Sequence, residues 1–474
     1  MNKALRRVSV FAALMVFALL ANVTFNYGWR SAGLLSDPAN RRVTDAQFDA
    51  PRGSILVGTT AVAETVPVEG GRFSVQRTYS NGALYAPVTG YYSYIYGRTG
   101  LEKNYNDQLS GSDDSQLFRR ILSELSGQQA QGATIQTTID ADAQQAASDA
   151  LGGRTGAVLA MDYTTGAILA WASTPGYDPN QLSSVDLAST QTAWDQLNAD
   201  ESQPLKDRAT QEIYPPGSTF KLVVASAALE NGMSADTTVE SPTTLPLDNS
   251  TTTLPNSTNC GGTTSTIDHA LQVSCNTAFA NLGMSLGQDK VREQAEKFGF
   301  NSSFGGDTDS ATSVFPSDLD NAQLAMSSIG QYNVSATPLQ MASTAAALAN
   351  GGSLMQPYVV SQVRDANLNV ISETSPTTIR QAVSAGTATS MQQMMIHVVQ
   401  SGTATATQIS GQTIGGKTGT AENMPGASAY SWFAGFDQET HAALAVFLAD
   451  PNQSGTATGN ATVAAHAVFE ALAS

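Results

Sequence analysis

Pro215-Pro216-Gly217-Ser218-Thr219-Phe220-Lys221 is the most informative segment of this 474-residue chain, because it leads into an apolar run that stops at Asn231-Gly232. The apolar run and its stop predict a buried helix that begins at Ser218. Lys221 lies one turn along, on the same face, so we expect its amine to reach the Ser218 hydroxyl. A lysine in such a dry site loses proton affinity and can act as a base near neutral pH. The alternative is that Lys221 is a surface residue whose amine reaches into water.

A second motif, Ser274-Cys275-Asn276, follows the segment 267–273, whose pattern predicts a short helix. A hydroxyl and an amide two residues apart suit a loop beside a reactive serine. Ser274 can relay a proton toward a leaving amine, and Asn276 can hold a substrate amide through its donor and acceptor groups. The alternative for Asn276 is an N-cap of a helix over 277–283.

A third motif, Lys417-Thr418-Gly419-Thr420, is preceded by Gly415-Gly416 and predicts a strand that a ligand's backbone can approach closely. We expect an extended peptide to lie alongside this strand, with Lys417, Thr418 and Thr420 gripping a terminal carboxylate. The backbone N–H groups of Ser218 and Thr420 would then form an oxyanion hole. The alternative is that Lys417 is a plain surface charge.

Apolar runs at both ends of the C-terminal part predict its sheet. Segments 156–162 and 167–171 flank the turn Thr164-Thr165-Gly166 and predict a β-hairpin. Segments 431–436 and 442–448 predict two further strands, and 461–473 predicts a helix that packs on them. Strands at both ends with helices between them indicate an antiparallel sheet flanked by helices, an α+β domain over residues 141–474.

The N-terminus carries Lys3, Arg6 and Arg7 before an apolar run that starts at Val8 and ends near Tyr27 and Trp29. We interpret 1–7 as a cytoplasmic tail and 8–29 as an uncleaved single-pass membrane anchor, with the rest of the chain outside the cytoplasm. A cleaved signal peptide is the alternative.

Residues 30–140 carry no catalytic pattern and are interpreted as a β-rich pedestal or dimerisation module. The segment 36–42 is polar and turn-prone, and the stretches after it look extended. An aromatic run over 85–92 is broken by Pro87 and Gly90, and 114–125 predicts a helix.

Composition narrows the possible partners and cofactors. A net charge of -17 without a clustered basic patch beyond the N-terminus argues against nucleic acid. Two cysteines and four scattered histidines, without a metal-ligand spacing, predict no metal and no other cofactor. In an oxidising compartment, Cys260 and Cys275 are predicted to form a disulfide, which would close a loop of about 15 residues and stabilise the fold by about 3 kcal/mol. Two buried free thiols are the alternative.

The three motifs, in this order and at these separations, are the pattern of penicillin-binding proteins and serine β-lactamases. The chain resembles the class B penicillin-binding proteins, which are monofunctional D,D-transpeptidases, over nearly everything after the anchor. The resemblance also includes the segments Arg52-Gly53-Ser54-Ile55, Gly100-Leu101-Glu102, Tyr177-Asp178-Pro179-Asn180, Ser328-Ile329-Gly330-Gln331 and Thr337-Pro338-Leu339-Gln340. Segments 36–42 and 85–90 and the paired cysteines are most similar to the actinobacterial penicillin-binding protein A subfamily. Val57-Gly58-Thr59 departs from the Asp-Arg-Asn usual in the family.

The resemblance implies an acyl transfer in which Ser218 attacks the D-Ala-D-Ala bond of a peptidoglycan stem peptide and releases D-alanine. A neighbouring strand's amine then resolves the acyl-enzyme, and β-lactams acylate the same serine. The family assigns Lys221 as the base, Ser274 and Asn276 as proton shuttle and amide binder, and Lys417, Thr418, Gly419 and Thr420 to the carboxylate site. A SEDS-type glycosyltransferase and division or elongation proteins would be the partners.

Other functions use the same three motifs. A class D-like β-lactamase or a D,D-carboxypeptidase would transfer the acyl group to water. Asn276 argues against the β-lactamase, and the membrane anchor and the module that precedes the catalytic domain argue against both enzymes. A β-lactam sensor, or a scaffold that is catalytically dispensable, is a hypothesis of another class. A penicillin adduct on Ser218 and its lifetime separate these possibilities.

Overall fold

The computed structural model describes residues 3–30, 33, 41–69, 72–113, 131–248, 251–422, 428–449 and 460–474. Its helices are α1 (Lys3–Phe25), α2 (Arg41–Phe48), α3 (Gly82–Thr89), α4 (Gly100–Asn104), α5 (Asn106–Ser110), α6 (Ala141–Leu151), α7 (Leu187–Ala199), α8 (Lys221–Glu230), α9 (Ile267–Gln272), α10 (Asn276–Leu286), α11 (Gln288–Lys297), α12 (Asn321–Ser327), α13 (Pro338–Ala349), α14 (Ala385–Ser401) and α15 (Asn460–Leu472). Short 3₁₀ turns lie at Pro179–Gln181, Gly217–Phe220, Gly306–Thr308 and Thr405–Thr407.

The strands are β1 (Ile55–Val57), β2 (Thr60–Pro67), β3 (Val75–Tyr79), β4 (Tyr92–Ser93), β5 (Gly97–Arg98), β6 (Thr134–Thr137), β7 (Gly156–Asp162), β8 (Ile168–Thr174), β9 (Thr238–Glu240), β10 (Thr244–Pro246), β11 (Thr253–Pro255), β12 (Thr264–Thr266), β13 (Ser353–Met355), β14 (Val360–Arg364), β15 (Val370–Glu373), β16 (Thr378–Gln381), β17 (Ile414–Ala421), β18 (Tyr430–Asp437) and β19 (Ala442–Leu448).

A five-stranded antiparallel sheet in the order β17-β18-β19-β7-β8 forms the centre of the C-terminal part. β7 and β8 are the predicted hairpin, and β18 and β19 are the predicted closing strands. Every residue of β19 is buried, which explains its continuous apolar sequence, because a central strand covered on both faces needs no polar side. The predicted α+β fold with an antiparallel sheet flanked by helices is confirmed.

Helices from distant parts of the chain cover this sheet. α15 packs on β18 and β19 and against α6, with the rings of Phe433 and Phe469 in edge-to-face contact at 6.5 Å. α13 packs on β7, β18 and β19. The central sheet is therefore held by both the first and the last helix of the C-terminal part, and its edge strands are β17 and β8.

A second sheet in the order β15-β14-β6-β1-β2-β3 lies in the N-terminal part, but two of its strands come from far along the chain. β14 and β15 form an antiparallel hairpin, and β14 pairs with β6, which in turn pairs in parallel with β1. The boundary at residues 140 and 141 remains a prediction, because this sheet takes residues from both sides of it.

Several N-terminal segments are helical although the sequence pattern looked extended. α3 includes Pro87 and buries Tyr85 and Val88, so packing outweighs the local signal for a broken strand. The predicted helix over 114–125 and the turn-prone residues 36–40 lie outside the described residues. The segment Leu5–Arg30 is long and apolar enough to cross a membrane.

Candidate active site

The nucleophile candidate lies on a tight turn that glycines make possible. Ser218 is part of the 3₁₀ turn Gly217–Phe220, and α8 proper begins at Lys221, so the predicted helix starts three residues later than expected. Gly217 has φ +53°, donates its N–H to the Gly330 carbonyl at 3.0 Å, and leaves no room for a Cβ beside the Thr420 carbonyl. The turn is therefore held against β17 on one side and Gly330 on the other.

The Lys221 amine donates its hydrogen bonds to residues of the second motif rather than to Ser218. It donates to the Ser274 carbonyl at 2.8 Å, to Asn276 Oδ1 at 2.8 Å and to Ser274 Oγ at 3.3 Å. The side chain is fully buried in α8, which excludes the surface alternative. Among the described residues, the Ser218 hydroxyl has no hydrogen-bond partner, so the expected contact between Lys221 and Ser218 is not formed in this state.

Burial also changes the charge of Lys221. Its removal from water lowers the pKa of the amine well below the usual value, and the nearby ammonium of Lys417 lowers it further. All the oxygens that the amine contacts are neutral, and its nearest ring, Phe279, has its centroid 5.6 Å away. The site therefore favours an unprotonated Lys221, the form that can accept a proton.

The second motif is a strained connection between two helices. α9 ends at Gln272, and Ser274 has φ +62°, an uncommon conformation for a residue with a side chain. Cys275 occupies the N-cap position of α10 without a side-chain cap, and Asn276 is the first helical residue. Asn276 therefore does not act as an N-cap; its amide nitrogen instead donates to the Pro255 carbonyl at 3.2 Å.

Two braces hold the second motif from outside. Cys260 and Cys275 form a disulfide in the structure. Next to it, the Thr277 N–H donates to Asn256 Oδ1 at 3.0 Å, and Asn256 Nδ2 donates to Thr277 Oγ1 at 2.9 Å. The sequence pattern did not single out Asn256, because one more asparagine in a Ser/Thr/Asn-rich segment carries no local signal.

The third motif lies on the edge strand β17, which pairs with β18 alone among the strands that the structure describes. Thr418, Gly419 and Thr420 line the cleft in front of Ser218. Gly419 is required there, because an added Cβ would lie 2.8 Å from the Pro216 carbonyl oxygen. A glycine thus lets the edge strand and the nucleophile turn meet.

Lys417 differs from the expectation that its amine grips a carboxylate directly. The side chain is fully buried, and its Nζ donates to the Thr418 carbonyl at 2.9 Å and lies 3.4 Å from Thr418 Oγ1. Burial lowers the pKa of Lys417 to about 7. The groups that face the cleft are the threonine hydroxyls, with the lysine behind them.

The three motifs line a single cleft of about 370 Å³. Its walls include Ser218, Ser274, Asn276, Thr403, Thr418 and Thr420, and Gln331 and Ile329 come from the loop after α12. In the part of the chain that the structure describes, no group of three or more His, Cys, Asp or Glu side chains is placed to hold a metal ion. The cleft thus offers serine and threonine hydroxyls and side-chain amides, with the two buried lysines behind its walls.

A serine on a glycine-held turn, a buried lysine pair and an open edge strand, on an antiparallel sheet flanked by helices, define a serine acyl transferase of the penicillin-binding class. The sequence profile of the penicillin binding protein transpeptidase domain matches residues 156–472, and that of the penicillin binding protein A dimerisation domain matches residues 52–135. The chain belongs to the penicillin-binding protein transpeptidase family.

Individual relatives agree with this assignment. The chain is 40% identical over 481 residues to the peptidoglycan D,D-transpeptidase PbpA of Mycolicibacterium smegmatis, which covers 98% of this chain and 97% of the relative. It is 37% identical to the protein of the same name from Mycobacterium tuberculosis, with 99% of each chain covered. The predicted resemblance to class B penicillin-binding proteins, nearest to penicillin-binding protein A, is confirmed.

Solved structures show the same fold. The ceftriaxone acyl-enzyme of penicillin-binding protein A from M. tuberculosis superposes with a TM-score of 0.86 at 36% identity, covering 90% of this chain and 99% of that one. The penicillin G acyl-enzyme of the same protein gives a TM-score of 0.84 at 36% identity, with 90% and 100% covered.

Proposed function

We propose that this protein is a peptidoglycan D,D-transpeptidase that works through an acyl-enzyme on Ser218. One observation carries the proposal: a fully buried lysine, Lys221, is held by neutral oxygens of the second motif beside a serine that faces an open edge strand. A buried amine of lowered pKa one helical turn from a hydroxyl is suited to activate it as a nucleophile. The names of the relatives, D,D-transpeptidases, support the same reaction.

The proposed first half-reaction uses these groups in turn, with Lys221 as the base for a serine to which it is not hydrogen-bonded in the structure. Neutral Lys221 accepts the Ser218 proton as the serine oxygen attacks the carbonyl of the D-Ala-D-Ala bond. The Ser218 N–H has no protein acceptor among the described residues, and together with the Thr420 N–H across the turn it would stabilise the oxyanion. Ser274, whose hydroxyl is 3.3 Å from the Lys221 amine, would pass the proton to the leaving D-alanine.

The substrate would be held as an added strand along β17. Thr418 and Thr420 present hydroxyls to its terminal carboxylate, with the buried Lys417 behind them, and Asn276 presents an amide to its peptide backbone. In the second half-reaction, the amine of a neighbouring stem peptide attacks the acyl-enzyme and restores Ser218. β-Lactams would acylate Ser218 in place of the peptide.

The setting in the cell is also proposed. Residues 8–29, which lie within the apolar helical segment Leu5–Arg30, would be an uncleaved single-pass anchor in the plasma membrane, with residues 1–7 in the cytoplasm and the catalytic domain outside. We divide the rest into a pedestal over 30–140 and a transpeptidase domain over 141–474. The pedestal would recruit a SEDS-type glycosyltransferase and division or elongation proteins. N-terminal sequencing of the mature protein tests the anchor.

The central experiment is mass spectrometry of the full chain in detergent after reaction with benzylpenicillin. We expect one persistent adduct on Ser218, which Ser218→Ala abolishes and Ser257→Ala, at an exposed serine on the rim of the same cleft, retains. Rapid release of the adduct would indicate a β-lactamase, and no adduct would indicate a scaffold. Exchange of a free D-amino acid into a D-Ala-D-Ala peptide separates transpeptidation from hydrolysis.

A further inference from the structure

A threonine outside the three motifs shares a hydrogen bond with the third motif. Thr403 follows α14, and its Oγ1 lies 2.6 Å from Thr418 Oγ1. Both residues line the cleft in front of Ser218. No sequence pattern pointed to Thr403, which is 15 residues before its partner.

The loop that carries Thr403 is anchored to the helix before the second motif. The Thr403 N–H donates to the Gln272 carbonyl at 3.3 Å, and Gln272 Nε2 donates to Ser401 Oγ at 2.7 Å. Gly402 packs so closely on the Gln272 carbonyl that an added Cβ would overlap with it. The backbone of Thr403 is therefore placed by α9, the helix before Ser274, and its hydroxyl contacts the third motif.

The hydrogen bonds of the Thr403–Thr418 pair determine what the pair offers to a ligand. In its protonated form the Lys417 amine can only donate, and it lies 3.4 Å from Thr418 Oγ1 on the side away from the cleft. Each threonine hydroxyl has one hydrogen, and one of the two hydrogens is used in the bond between them. The other hydrogen remains for an acceptor in the cleft, whichever threonine donates. The pair thus presents a hydroxyl donor to an anion, with a lysine behind it.

We propose that Thr403 is a specificity-determining residue that forms, with Thr418, a paired-hydroxyl donor for the carboxylate of the substrate and of β-lactams. The inference rests on the proposed function, because it concerns the same acylation of Ser218. It adds a residue from outside the three motifs to the carboxylate site and makes recognition depend on the loop after α14. Loss of the hydroxyl should weaken binding of carboxylate ligands more than of neutral ones.

The test compares acylation of the full chain by benzylpenicillin and by benzylpenicillin methyl ester, which lacks the anionic carboxylate. Thr403→Val keeps the shape and removes the hydroxyl. We expect the acylation rate constant with benzylpenicillin to fall about tenfold, and that with the ester to change less than about twofold. Thr403→Ser should restore the rate with benzylpenicillin. Thr405→Val, at an exposed threonine in the same loop, should change neither rate.

A second variant tests whether the hydroxyls act as a unit. If they form one donor, Thr418→Val should cost less in the Thr403→Val background than in the wild type. Equal losses with both penicillin compounds, additive losses in the double variant, or an unchanged rate would overturn the inference. Each of these results leaves Ser218 acylated, so the proposed function would still stand. That function fails only if the wild type itself forms no adduct.

Discussion

Two buried clusters of ionisable side chains, one in each half of the molecule, differ in whether their charged groups have partners of opposite charge. In the N-terminal part, Glu102 lies between two arginines, with Oε2 2.8 Å from the Arg52 guanidinium and Oε1 2.6 Å from Arg77 Nε. In the catalytic part, Lys221 and Lys417 are also fully buried, yet both contact only neutral oxygens. Every charged side chain of the first cluster has a partner of opposite charge, although two arginines share one glutamate, whereas the lysines of the second have none among the described residues.

The pKa values follow from this difference. Burial alone would raise the pKa of Glu102, but Arg77 and Arg52 outweigh it and hold the pKa below its usual value. Burial lowers the pKa of both lysines, and within the described ranges no carboxylate restores it. Matched charges remain charged at every physiological pH and hold structure, whereas unmatched amines can gain and lose a proton. The contrast separates the structural cluster from the reactive one.

The largest effect should come from removing the reactive amine. Lys221→Met should lower the rate of Ser218 acylation by benzylpenicillin about 10³-fold, because the proposed base is lost. The free energy of unfolding should stay level or rise, since methionine fills the same space without the cost of burying an amine that has no ionic partner among the described residues. Stopped-flow acylation and urea unfolding measure the two quantities. Lys290→Met, at an exposed lysine, serves as the control. If Lys221→Met were acylated at the wild-type rate, Lys221 could not be the base.

The opposite pattern is expected in the matched cluster. Glu102→Gln leaves two buried guanidinium groups without a counter-charge, so the free energy of unfolding should fall by about 3–5 kcal/mol. The acylation rate of the folded protein should not change, because the cluster lies in the N-terminal part and contacts no residue of the cleft. A loss of unfolding free energy under about 1 kcal/mol would contradict the distinction between a structural cluster and a reactive one.

A pH series sharpens the comparison further. The Lys417 pKa of about 7 in the folded protein lies below the usual value of 10.5, so between these values the unfolded chain binds the extra proton. Stability should therefore rise with pH through this window, by about 2 kcal/mol between pH 7 and pH 9 from this group. In urea unfolding, the free energy of unfolding of the wild type should rise by about 2 kcal/mol more than that of Lys417→Met between pH 7 and pH 9. An identical slope in both proteins would show that Lys417 is protonated when folded.

The smallest effect should come from the residue beside Glu102. Lys103 is on the same helix, α4, and pairs with Asp309 at 3.1 Å, but the two side chains are 55% and 59% exposed. Lys103→Met should change the free energy of unfolding by less than about 0.5 kcal/mol, because water screens the pair. Comparison of Lys103→Met with Glu102→Gln shows whether burial is the cause of the difference in stability. A cost of several kcal/mol would contradict this explanation.

The three motifs and the central sheet could be predicted from the sequence because their signals are local. Apolar runs such as 156–162 and 442–448 reflect burial on both faces of a strand, and the motifs bring their own reactive groups. Within the site, the burial of α8 followed from its lack of a polar face. These signals need only neighbouring residues, so they survive without knowledge of the fold.

The remaining features depend on contacts between distant residues. The partners of Lys221 are more than 50 residues away, at Ser274 and Asn276, so its spacing from Ser218 suggested a contact that the structure does not form. The direct role expected of Lys417 likewise did not take into account that α14, from a different part of the chain, packs on its strand. Thr403 and Asn256 act through partners that no local pattern reveals.

The hairpin β14–β15 has a practical consequence for anyone who shortens this protein. Because β14 pairs with β6, a fragment that starts at residue 141 would leave the β14 edge without its neighbour, and a bare strand edge recruits other chains. Fragments intended for crystallisation or inhibitor screening should therefore keep the chain from residue 41 onward and remove only the membrane segment.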